Sequence, residues 1–370
     1  IVSVQEGKQL PGIAAMNDML ALYPKDKRLY FLAGNWLMGE NGYQQARRFF
    51  ERALTIDKNY PAALNNLAYC YAHDREFDKA FSAMERYLAA LPNEPNPQDS
   101  YGEILRQAGH FEQALEHYQA ALKINPAFVF SRLGLGDTYA LMGNQPQARA
   151  EYDKAMAAAD NSADRLDYGL QKAITWVREN NLAEADQAFT ALAQESHAKG
   201  LDLHEAQAYR NQALYQPDDA VALQLLQSAE DALGPQANLT QAERTDEISR
   251  ILRYRTVRAL HAGNKDLADR SYQRLETLAG GSRSNIVQAS RAGADGARLM
   301  AEGKYAAAAD RLEDDQENPY SLELLSAAYF QAGAAEKMHD VEIRLRALNI
   351  PTLEQALVVP AARGKMPRLP

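Results

Sequence analysis

The segment PNPQDSYGEILRQAGHFEQALEHYQAALKINPAF, residues 95–128, carries the pattern on which the fold turns. Apolar residues recur at i, i+3, i+4 and i+7 on both sides of a short polar break, QAGHF. Gly109 sits in that break, where the end of a helix favours positive φ. Pro126 closes the second stretch, because proline disfavours the αR region for the residue before it. The pattern predicts two short amphipathic helices joined by a tight turn. Gly102 and Ala114 would lie where the helices cross, and Tyr118 would fill the space beside them.

The same pattern recurs without a gap at residues 27–60, 61–94 and 129–162, each 34 residues long. Gly34, Ala68, Gly102 and Gly136 share one column, and Ala46, Ala80, Ala114 and Ala148 another. Leu37, Tyr71, Leu105 and Tyr139 fill a third, and Phe50, Met84, Tyr118 and Tyr152 a fourth. Ala53, Ala121 and Ala155 align with Tyr87 as the exception. A fixed period of this length marks a stack of helical hairpins and not a set of globular domains. The 19 Tyr against 10 Phe and 2 Trp then reads as a recurrent packing knob.

These columns resemble the tetratricopeptide repeat (TPR) family: a small residue in the first helix, Gly at the turn, Ala in the second helix, an aromatic four residues on and a closing Pro. The resemblance is specific over residues 27–162 and weaker elsewhere. Residues 1–26 look like the end of a repeat, with Gly7 at the turn and Pro24 as the closer. Residues 163–234 read as degenerate repeats with Ala185 and Phe189 in the diagnostic columns, and 235–351 as further hairpins around Gly263, Gly303 and Gly333. Residues 237–259 read as one helix longer than the standard one. Residues 352–370 read as a tail, frayed or draped from Pro360 onward. The resemblance implies an all-α, right-handed α-α superhelix, a TPR solenoid of roughly 8–10 helix-turn-helix repeats, with first helices lining a concave groove.

Composition narrows the function classes. The chain has 370 residues, 40 Lys plus Arg against 49 Asp plus Glu, a net charge of −9 and one Cys. An acidic chain disfavours nucleic acid as partner, and no apolar run is long enough to span a membrane. Cys70 alone cannot form an intramolecular disulfide or a multi-thiolate metal site. The sequence points to no catalytic residues, no metal ligands and no cofactor. GLGDTY at 134–139 has no strand before it, and the seven His are scattered. Glu313, Asp314 and Asp315, and Asp218 with Asp219, read as turn or solvated-face charge. The chain begins with Ile1 and not Met, which reads as a piece of something longer, so the compartment, bacterial exported or cytoplasmic, stays open.

Function is expected on the first-helix residues that do not pack. Phe31, Asn35, Asn65, Tyr69, Asp99, Glu103, Arg106 and Asp137 form a stripe with helical spacing. Such a stripe suits hydrogen bonding to an extended peptide or protein partner, and its carboxylates favour a neutral or basic one. The TPR subclass that clamps C-terminal carboxylates uses cations at positions matched here by Phe31, Asn35, Asn66, Asn96 and Ser100, so that ligand is disfavoured. The expected function is a non-enzymatic interaction scaffold. The alternative is the sensory or regulatory segment of a larger bacterial kinase or transcription regulator. An uncapped repeat end also offers a surface through which two copies can pair.

Overall fold

The structure, a computed structural model, describes residues 9–39 and 41–364. Gly7, assigned above to a turn, lies outside them. Among the described residues there are twenty α-helices and no strands. A first helix, α1 (Gln9–Leu22), is followed in sequence by nine helix pairs and a final single helix. The chain divides into two compact units, Ile1–Leu135 and Gly136–Pro370. Among the described residues no helix is long and apolar enough to cross a membrane.

The first unit holds α2 (Lys27–Gly39), α3 (Tyr43–Ile56), α4 (Pro61–His73), α5 (Phe77–Ala90), α6 (Pro95–Ala108), α7 (Phe111–Ile124) and the start of α8 (Val129–Met142). The aromatic column is its core: Phe50 and Met84 are fully buried and Tyr118 is 2% exposed. Each knob lies against the small residue of the same repeat. A Cβ on Gly34 would meet the Phe50 ring at 2.6 Å, and one on Gly102 would meet Tyr118 at 3.0 Å. Tyr118 also reaches the next first helix, where a Cβ on Gly134 would stand 2.3 Å from its ring. One aromatic thus packs a hairpin and joins it to its neighbour.

The turn column behaves as a backbone constraint. Gly109 and Gly143 take φ of 88° and 90°, and the same column holds Asn41 (58°) and Arg75 (59°) in the left-handed region. The turn therefore needs the conformation more than the glycine, and a non-glycine there accepts a steric cost of about 1–2 kcal/mol. Cys70 is fully buried, and burial pushes its thiol up to about 12, as befits an inert packing residue.

The second unit runs through α9 (Gln145–Ala157), α10 (Ser162–Arg178), α11 (Leu182–Ala198), α12 (Asp202–Leu214), α13 (Asp219–Ala232), α14 (Gln241–His261), α15 (Lys265–Gly281), α16 (Asn285–Ala301), α17 (Tyr305–Leu312), α18 (Pro319–Gln331), α19 (Ala335–Arg346) and α20 (Leu353–Ala362). Tyr152, 1% exposed, lies against Gly136 as the knob rule requires. The long helix foreseen at 237–259 is α14, 21 residues, started by a capping box between Thr240 and Glu243.

Two expectations fail in this unit. Asp315 is not solvated: it is 6% exposed, pairs with Arg253 at 2.8 Å and accepts from Ser321 at 2.6 Å. Asp219 likewise pairs with Arg258 at 3.1 Å and with His261 at 2.5 Å. Both acids compensate arginines that α14 carries into the unit, since a buried charge persists only when paired. The frayed tail is also replaced by structure. α20 runs through Pro360, and Leu353, Ala356, Leu357, Val358 and Val359 are all buried. The 3.6-residue pattern was hidden because α20 is apolar around most of its circumference, which is how an enclosed helix reads. Residues 365–370 lie outside the described range.

Gly134→Ala and Gly280→Ala make a matched pair. Gly134 faces the Tyr118 ring, whereas a Cβ on Gly280 meets nothing within 4 Å. The first substitution is expected to cost about 1–3 kcal/mol by overpacking, and the second to gain about 0.4–1 kcal/mol by reducing the freedom of the unfolded chain at an exposed position in the last turn of α15. Opposite shifts in thermal midpoint, followed by circular dichroism, check both.

Candidate functional site

First helices of successive repeats expose the same columns side by side, and in the first unit these columns bond to one another. Tyr69 of α4 donates its hydroxyl to Glu103 of α6 at 2.7 Å, and the two are one repeat apart in the same column. Ser131 of α8 donates to Asp99 of α6 at 2.7 Å. Asn66 of α4 donates to the Asn35 side chain of α2. Arg106 stands 3.7 Å from Glu103 on the same helix, and Gln107 donates weakly to that carboxylate at 3.4 Å. The result is a polar ladder across the first-helix face of residues 35–131.

Of the expected residues, Asn35, Asn65, Tyr69, Asp99, Glu103 and Arg106 lie on that ladder. Asn65 donates to Asn66 at 3.3 Å, while its own Oδ1 is enclosed and has no hydrogen-bond partner among the described residues. Arg106 is 6% exposed and hydrogen bonds Tyr118, tying the face to the core knob. Phe31 is a packing residue, its ring 6.0 Å from Phe50 and 5.7 Å from Tyr60. Asp137 belongs to the second unit, where it accepts from Tyr152 at 2.7 Å. Two of the clamp-equivalent positions are also taken up internally. Asn96 donates to Tyr87 at 2.8 Å, and Ser100 hydrogen bonds Tyr69.

Ser131 was missed by the sequence reading. It is fully buried, and its signal, a hydroxyl at the start of a first helix 32 residues after Asp99, becomes visible only once the helices are side by side. The electrostatics follow from this enclosure. Burial pushes the Asp99 carboxyl up to about 6; Glu103 nearby adds to the rise, while Ser131 and Arg106 oppose it. Burial and the Glu103 charge hold the Tyr69 phenol well above its ordinary value, so it stays a hydrogen-bond donor.

The folded state holds the Asp99 proton more tightly than the unfolded chain does. Its contribution to stability is therefore largest in acid and is lost as pH rises through about 6. Asp99→Asn removes that dependence. Relative to wild type, the variant is expected to gain on the order of 2 kcal/mol between pH 4.5 and pH 7, read from paired thermal or urea titrations at the two pH values.

Residues 37–103 match the family model described as tetratricopeptide repeat, and residues 102–143 the one described as TPR repeat. The chain is 27% identical over 114 residues to a UDP-N-acetylglucosamine–peptide N-acetylglucosaminyltransferase of Giardia intestinalis, covering 31% of this chain and 8% of that protein. It is 27% identical over 149 residues to anaphase-promoting complex subunit 6 of Arabidopsis thaliana, covering 38% of this chain and 26% of that one. The chain thus spans well under a third of the length of these curated relatives. Among solved structures, a tetratricopeptide repeat protein of Parabacteroides merdae is 15% identical, with a TM-score of 0.42 over 72% of this chain and 98% of that one. A TPR protein of Thermus thermophilus is 21% identical, with a TM-score of 0.41 over 55% and 98%. The matched repeats coincide with the hairpins whose small and aromatic columns interlock, and repeats of this kind form protein-interaction scaffolds. Residues 37–143 belong to the tetratricopeptide repeat superfamily.

Proposed function

We propose that the first-helix face of the first unit binds an extended, neutral or basic peptide segment of a protein partner, and that the chain acts there as a non-enzymatic scaffold. The observation that carries this reading is the enclosed, unpaired Oδ1 of Asn65. Among the described residues that acceptor has no donor, which costs free energy, and rotation of the half-buried Asn65 side chain toward the face offers it to a peptide N–H laid across the repeats. One repeat further along, in the same column, lies the Asp99 carboxylate, and beside it Glu103. Each carboxylate accepts one strong bond from within the fold and retains further acceptor capacity.

Charge sets the preference. Two carboxylates face one guanidinium across this part of the ladder, so an acidic ligand would be repelled and a Lys or Arg side chain held. Cross-repeat bonds hold Tyr69, Asp99 and Glu103 in place before any ligand arrives, which lowers the ordering cost of binding. A bound cation stabilises the ionised form of Asp99, so affinity for a basic peptide rises with pH through about 6.

Asn65→Leu separates binding from folding. It removes an unpaired acceptor and so leaves stability equal or higher, yet it is expected to weaken peptide capture about 10-fold. Glu103→Arg reverses the charge and is expected to shift preference from Lys- and Arg-bearing peptides to Asp- and Glu-bearing ones. A peptide array probed with wild type and both variants at pH 5 and pH 7.5 reads all three effects. Identical array patterns for the three proteins would move the interaction away from this face.

A further inference from the structure

The C-terminal helix α20 occupies a cradle formed by the first helices of the second unit, packing against α10, α12 and α18 and against α19. An irregular stretch, 347–352, leads into it. The cradle handles it as a ligand is handled. Arg178 of α10 donates to Gln355 Oε1 at 2.6 Å and to the Thr352 carbonyl at 3.3 Å. Tyr254 of α14 donates to Glu354 at 2.5 Å. Both anchors come from helices about 100 residues or more away in sequence.

The fit is incomplete in two independent ways. Arg178 meets two neutral oxygens, and among the described residues it forms no ion pair. Burial pulls its guanidinium down to about 10, Tyr152 and Asp137 working against that fall and Arg363 adding to it. A cation so placed gains more from a carboxylate than from an amide, since charge-assisted bidentate pairs are the stronger ones. Beside α20 a cavity of about 530 Å³ is lined by Leu226, Tyr254, Val257, Leu324, Leu357 and Val358 among others. The cavity is partly open to solvent and its walls are mostly apolar side chains, so an added methylene there would remove apolar surface from water. The arginines at its margin are already spent, Arg253 on Asp315 and Arg258 on Asp219.

We propose that this cradle is a docking site for a partner helix of the α20 pattern that carries a carboxylate at the position of Gln355 and a larger aliphatic side chain at that of Val358, with α20 as the weaker occupant kept there by its tether. The partner helix is specified by what α20 leaves unsatisfied: Thr at the cap, apolar residues over the next two turns, an acid opposite Arg178 and added bulk toward the cavity. The tether gives α20 an effective concentration in the millimolar range, so a competitor in trans needs a large intrinsic advantage to replace it. A carboxylate on a partly desolvated guanidinium together with one filled methylene supplies on the order of 100-fold.

The test uses the full chain throughout. Peptides of residues 351–364, one with the native sequence and one with Gln355→Glu and Val358→Leu, are titrated into wild-type protein. Binding is followed by fluorescence anisotropy and by hydrogen exchange of residues 353–362. The substituted peptide is expected to bind about 100-fold more tightly than the native one and to speed exchange across 353–362 as α20 is displaced. The same two substitutions made within the chain are expected to slow that exchange and raise the thermal midpoint. Arg178→Met should abolish the preference for the acidic peptide while leaving the effect of Val358→Leu. Equal affinities, binding without faster exchange at 353–362, or a preference for the acid that survives Arg178→Met would each overturn the proposal. So would a lower thermal midpoint for the substituted chain, since a fixed, complete cap would be overpacked by the leucine and burdened by the charge.

Discussion

The close approach of two helices over a small residue is the constraint on which the rest of the molecule depends. In each regular repeat the first helix presents Gly or Ala, and the second lays a large side chain across it. Gly34 meets Phe50, Gly102 meets Tyr118 and Gly136 meets Tyr152, all at distances that leave no room for a Cβ without movement. Tyr118 shows why this contact propagates beyond one hairpin, because its ring is held by Gly102 on one side and by Gly134 of the next repeat on the other. Once that geometry is set, first helices lie beside first helices, and residues 34 apart become neighbours. The bond from Tyr69 to Glu103 is a direct consequence of the repeat length.

The two units use polar residues differently. In the first, mostly half-buried side chains bond across the first-helix face, with Ser131 and Arg106 buried behind them. In the second, arginines of α12 and α14 enter the interior, and each meets an acid from another element: Glu247 of α14 on Arg210 of α12 at 2.5 Å, Asp315 of the loop after α17 on Arg253, and Asp219 of α13 on Arg258. Pairs of this kind are costly to break, because removing one partner strands the other, but they add little net stability over apolar packing. They fix which helices lie together in a region where the small and aromatic columns have decayed. The first-helix face in this unit is then covered by α20, whose own seat is imperfect.

Repeat identity was legible where packing and period coincide. Gly, Ala and aromatic columns at 34-residue spacing report contacts made inside one hairpin or between adjacent ones, and such contacts leave a local trace in sequence. The turns were legible for the same reason at Gly109 and Gly143, and less so at Arg75, where a long side chain adopts the same left-handed backbone. The face of the ladder was legible as a stripe, but the roles within it were not. Phe31 has the spacing of a groove residue and the contacts of a core one, since Phe50 and Tyr60 reach it from other helices. Ser131 carries no periodic signal at all and still donates to Asp99.

By itself the amino-acid sequence determined the all-α hairpin, its 34-residue repetition and the knob that locks it, because these rest on helical periodicity and on residue volume at short separation. Only the tertiary structure decided which acids are buried partners, that the Asn65 acceptor has no donor among the described residues, and that α20 lies in the second unit's cradle. Those outcomes join residues such as Arg178 and Gln355, 177 positions apart, and no pattern within a helix encodes a contact between side chains that meet only after the chain has stacked.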